Sequence, residues 1–66
     1  MDFMEKAKMR IQQWVKHNKD YIEEYELFAG QLEPAGKLES ARYIREMTAL
    51  MAESNDCLAK ALRLLK

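Results

Sequence analysis

Sixty-six residues make at most one domain, and a chain this short approaches the lower limit at which burial outweighs conformational entropy without a disulfide, a metal or a partner subunit. Eleven basic residues balance eleven acidic ones, so no overall field draws the chain to nucleic acid or to an anionic membrane. One cysteine and one histidine exclude an intrachain disulfide and a four-ligand zinc site built from Cys and His of one chain.

No apolar run reaches the length of a membrane span, and Met1-Asp2-Phe3-Met4-Glu5 lacks the basic start and apolar stretch of a signal peptide, so the expected location is cytoplasmic. With 48% apolar and 33% charged residues, one proline and two glycines, the composition favours a folded helical protein over a disordered one.

Asp2, with Glu5 three residues on, has the spacing of a capping box and marks the start of helix 1. Met4, Ala7, Ile11, Trp14, Tyr21, Tyr25, Phe28 and Leu32 then recur at steps of three and four, with Val15, Ile22 and Ala29 alongside. With Asn18 placed at position a of a heptad, the buried arc of this helix is a, d and e. Lys16, Lys19, Glu23 and Glu26 occupy the solvated face. The aromatic residues Trp14, Tyr21, Tyr25, Phe28 and Tyr43 are expected in the core, and Cys57 is expected to be a small buried hydrophobe.

Pro34, which restricts Glu33, and Gly36, which can adopt a left-handed backbone, place a turn at about 33–37 between helix 1 at about 2–33 and helix 2 at about 38–65. Pro34 fits either just beyond helix 1 or within a distorted last turn. In helix 2, Ala41, Thr48, Asn55 and Leu62 share one heptad position, and Ile44, Met51, Leu58 and Leu65 share another. Met47, Ser54 and Ala61 widen the arc, and Tyr43, Leu50, Cys57 and Leu64 add a fourth stripe. One antiparallel partner helix cannot cover an arc of that width.

Two such helices form a hairpin roughly 45 Å long with little enclosed volume. The expected architecture is therefore all-α: an antiparallel two-helix hairpin that pairs into a dimeric four-helix bundle, with helix 2 of each chain near the two-fold axis. Tyr43, Met47, Leu50, Met51, Cys57 and Leu64 form the expected self-association or partner face. Acidic residues Asp20, Glu23, Glu24, Glu26 and Glu33 fall beside Lys37, Arg42 and Arg45 across the turn, a modest aid to register. Lys60, Arg63 and Lys66 suit the negative end of the helix 2 dipole.

A turn centred near residue 35 sets positions summing to about 70 side by side. Asn18 and Asn55 then share a level at core positions, and a paired polar layer of this kind fixes register and oligomer number. His17 flanks that layer, with Asp20 and Glu24 at i+3 and i+7. A histidine beside carboxylates can bind a metal or move a proton, although such spacing arises by chance on almost any charged helix. The Glu-x-x-His signature of di-iron bundles is absent, since Trp14 stands three residues before His17. No nucleophile–base pair, glycine-rich phosphate loop or zinc-binding cysteine cluster is present, and no cofactor is implied.

Trp14-x-x-His17-Asn18, Glu24-Tyr25, Gly36, Ala41 and Asn55-x-x-Leu58-x-x-Ala61-Leu62 together resemble a small family of prokaryotic helical-hairpin domains of unknown function, whose first helix carries a His-Trp-x-x-His-Asn-x-x-His pattern. The resemblance implies a helical hairpin over nearly the whole chain and, by the spacing of its histidines, a metal-binding edge in that family. Here Gln13 and Tyr21 stand at the outer histidine positions, so the resemblance supports the fold more than a site.

The leading expectation is a non-enzymatic, self-associating helical module, a homodimer with a structural, assembly or regulatory role. One alternative is a module that binds another protein through the apolar face of helix 2. The other is a metal or small-ligand binder in which each chain contributes His17, Asp20 and Glu24.

Overall fold

The computed structural model describes residues 2–65; Met1 and the expected dipole contact of Lys66 lie outside the described residues. Two helices, α1 at Phe3–Leu32 and α2 at Leu38–Leu64, account for nearly all of them, and among the described residues there is no strand. The helices pack antiparallel along their length in a body 51 Å long, 17 Å wide and 10 Å thick.

α1 begins where Asp2 caps it. Its backbone is extended, and its carboxylate accepts a hydrogen bond of 2.9 Å from the Glu5 amide, satisfying one of the free donors of the first turn. α2 has no such side chain at its start: Lys37 occupies the cap position, and its carbonyl accepts only the first intrahelical bond, from the Ala41 amide.

The turn answers where Pro34 sits. The Lys37 amide donates to the Leu32 carbonyl, the Gly36 amide donates to the Glu33 carbonyl, both at 3.0 Å, and Gly36 has φ of +81°. These are the paired bonds of a Schellman motif, with glycine at the left-handed position. Glu33 retains helical angles, so Pro34 lies inside the wrapping last turn rather than beyond it.

Alternate steps of three and four residues build the seam. α2 contributes Ala41, Ile44, Thr48, Met51, Asn55, Leu58, Leu62 and Leu65, the two stripes expected from its periodicity. α1 contributes Ile11, Val15, Asn18, Ile22, Tyr25, Ala29 and Leu32, which are heptad positions a and e. Position d was expected in the buried arc, and it is not there: Trp14, Tyr21 and Phe28 are each about half exposed.

Size explains this choice. Near the turn the seam closes on Ala29 and Ala41, at 0% and 1% exposure, where two methyl groups let the backbones approach closely. An aromatic ring from position d at that level would hold the helices apart. The price is a thin interior. Among the described residues only Ala29, Ala41, Thr48 and Asn55 are buried, and no large side chain is fully buried.

Candidate functional site

Two features stand out once the seam is formed: a polar ladder between the helices and an apolar face beside it. The ladder has three steps. Asn18 Nδ2 donates to Asn55 Oδ1 at 2.9 Å, and Asn55 Nδ2 donates to the Val15 carbonyl at 3.2 Å. Thr48 Oγ1 lies 2.8 Å from Glu26 Oε1 and 2.9 Å from the Arg45 carbonyl, sharing its proton between two acceptors. Arg45 pairs with Glu33 at the surface. The buried amide and hydroxyl are thus satisfied, and among the described residues no buried side-chain polar atom lacks a partner.

The ladder also fixes which side of the hairpin is which. Glu26 and Glu33 share heptad position b of α1, on the far side of position e from position d. Because they reach Thr48 and Arg45 of α2, that flank of each helix forms one side of the hairpin. Successive residues turn by about 100° around a helix, so the d stripe of α1 must project from the opposite side. The arc of α2 that carries Met47, Ser54 and Ala61, with Tyr43, Leu50, Cys57 and Leu64 beyond it, projects from that same side. One face is therefore polar and the other is apolar and two helices wide.

This corrects where the unpartnered surface lies. Tyr43, Met47, Leu50 and Leu64 are exposed, Leu64 at 82%, but Met51 faces the seam and is half-buried. Trp14, Tyr21 and Phe28 of α1 belong to the face as well. Helix 2 does not carry it alone. A groove at the open end of α1, lined by Phe3, Ala7, Arg10, Ile11 and Trp14, extends the same surface.

Cys57 is exposed and so departs from its expected burial, because it falls on the outer apolar stripe of α2, away from the seam. The aromatic residues depart likewise. Tyr25 alone among them packs in the seam, with its ring 6.0 Å from that of Tyr21, while Tyr43 lies outside under the Arg42 guanidinium at 4.9 Å. Of the acidic residues expected across the turn from Lys37, Arg42 and Arg45, Glu33 alone forms an ion pair with one of them among the described residues.

His17, Asp20 and Glu24 line a shallow groove with Tyr21 along the outer edge of α1, all four exposed. They share the groove without converging. Among the described residues no group of three or more His, Cys, Asp or Glu side chains is placed to hold a metal ion. None of the helices among the described residues is long and apolar enough to cross a membrane.

Thin seam, satisfied polar ladder and broad apolar face define, over the described residues, a two-helix, all-α protein. The chain belongs to the family described as a domain of unknown function, DUF8180, which matches residues 7–65. That agrees with the resemblance as far as a domain of unknown function spanning nearly the whole chain; the family description extends to neither a histidine motif nor an organism. No curated protein and no solved structure matches the chain.

Proposed function

We propose that this chain is a non-enzymatic module that self-associates through its apolar face into a dimeric four-helix bundle and serves a structural, assembly or regulatory role. The observation that carries this is the missing interior. A two-helix seam in which no large side chain among the described residues is fully buried leaves Trp14 and Phe28 half exposed and Leu50 and Leu64 largely exposed. Burying such side chains contributes about 1.5–3 kcal/mol each, a large fraction of the stability of any small domain.

The face runs along a body 51 Å long and 17 Å wide, and a standard protein interface buries about 800 Å² per partner. Sedimentation equilibrium across micromolar concentrations tests the proposal, with a dimer mass expected throughout. A monomer at all concentrations would overturn it and leave the same face for a different protein.

A further inference from the structure

The apolar face alone is compatible with two dimers, and the charges along its edges separate them. On the outer edge of α1, Lys6 and Arg10 stand near the open end and Asp20 and Glu24 toward the turn. On the outer edge of α2, Lys60 stands near the open end and Glu39 and Glu46 toward the turn, with Arg42, whose guanidinium lies over the Tyr43 ring, the one base between those two carboxylates. All of these side chains are exposed. The net charge of both edges therefore changes sign in the same direction along the hairpin, basic at the open end and acidic toward the turn.

From this charge polarity we infer that the second copy lies on the apolar face with its turn over the open end of the first, related by a two-fold axis perpendicular to the helices. This inference rests on the proposed self-association. The contacts of Asn55 with Val15 and Asn18 set which residues of the two helices are level, at sums of about 70. With the axis at the level of His17 and Glu53, Arg10 falls beside Glu24 of the second copy, and Lys60 falls beside Glu46 of the second copy. Both pairings follow from the same axis. The small Ala7, in its groove between Phe3 and Trp14, is then level with the half-exposed Phe28 of the second copy. The two Glu53 carboxylates, meeting at the axis, are the like-charged contact this arrangement creates.

The other face-to-face dimer, turn against turn, keeps each level opposite itself. It sets Arg10 beside Lys60 and Glu24 beside Glu46, so the same four side chains repel. Like charges held together at an interface rim weaken the wrong arrangement.

The test uses the full chain with Cys57→Ser and a spin label on Ala35→Cys at the turn. Sedimentation first establishes the dimer; a monomer would overturn both the proposed self-association and this inference. In the dimer, the label-to-label distance is expected at about 50 Å, since each turn lies some eighteen residues from the axis at about 1.5 Å per residue. A distance within about 20 Å, the span of two packed helices, would overturn the inference and leave the self-association standing. Charge reversal gives a second arm whose sign decides. Arg10→Glu is expected to weaken dimerisation by roughly tenfold, with Glu24→Arg added in the same chain restoring it. Tighter dimerisation by Arg10→Glu alone is the turn-against-turn result and would overturn the inference.

Discussion

From Gly36 to the level of Thr48 the two helices are tied by the Schellman bonds, by the buried Ala29 and Ala41, by Glu33 with Arg45 and by Glu26 with Thr48. Beyond Asn55 the seam continues through Ile11, Leu58 and Leu62, but among the described residues no cross-helix polar contact follows, and Phe3 and Leu64 are largely exposed. One chain thus holds a closed half and an open half. Loop closure explains part of this, because contacts next to a short turn cost little entropy, whereas those at the open end must order the whole hairpin. In the inferred dimer the closed half of each copy covers the open half of the other.

Amide exchange reads this contrast directly. Protection should be highest around Asn18, Ala29, Ala41 and Thr48, lowest toward Phe3 and Leu64, and should rise at the open end with protein concentration.

The largest loss is expected where the closed half is tightest. Ala41→Leu adds carbons at a buried position near the level of the buried Ala29, so the helices are expected to separate or the turn to distort. Overpacking of this kind costs typically 1–3 kcal/mol. Thermal unfolding at fixed concentration should show a fall of about 10 °C or more, since each kcal/mol moves the midpoint of a domain this small by about 4–8 °C. Ala41→Gly, which relieves the contact and adds only helix propensity loss, should cost about 1 kcal/mol. A Leu variant no worse than the Gly variant would show that the closed half is not closed by packing.

Where the halves meet, Asn55→Ala strands the Asn18 amide in a partly buried seam. A loss of about 1–3 kcal/mol is expected in chemical denaturation. Replacing both Asn18 and Asn55 with Leu should reverse the sign, raising stability while the single oligomeric state broadens in sedimentation. A double variant that is destabilised as much as the single one would mean that the layer contributes packing rather than specificity.

At the turn, Gly36→Ala meets no atom within 4 Å, so its cost is that of a side chain at φ of +81° alone. About 1 kcal/mol is expected, from backbone strain without any change in seam contacts. Exchange rates at Ala29 and Ala41 should move with the global stability and no further.

How these halves are visible in the sequence differs between the helices. The seam of α2 follows from its spacing, because Ala41-Thr48-Asn55-Leu62 and Ile44-Met51-Leu58-Leu65 are the two adjacent stripes with residues suited to a close interface. α1 offers three apolar stripes for two places. Periodicity cannot choose between Ala29 and Phe28, and the choice falls to the size of Ala41 across the seam, a term that no single helix contains. The same limit hid the aromatic half of the apolar face, since Trp14 and Tyr21 have the spacing of core residues whether they meet α2 or water. Cys57 points outward because its place on the α2 wheel outweighs its preference for burial. Around His17 the spacing carried little, as charged residues three and four apart occur on most solvated helices, and its neighbours share an edge rather than a centre.

The smallest expected effect is a gain, and it sharpens the contrast between the two helix starts. Asp2 caps α1, whereas α2 begins at Lys37 with no side-chain acceptor for its free amides and with a positive charge at the positive end of its dipole. Lys37→Asp should supply both an acceptor and the favourable charge, for about 0.5–1 kcal/mol and a midpoint raised by a few degrees. The Lys37 amide must go on donating to the Leu32 carbonyl for this gain to appear, which ties it to the Schellman turn. In the Gly36→Ala background the turn is strained, the cap geometry shifts, and the gain from Lys37→Asp should shrink. Additive effects of the two substitutions would show that the start of α2 is set by the helix alone rather than by the closed half of the hairpin.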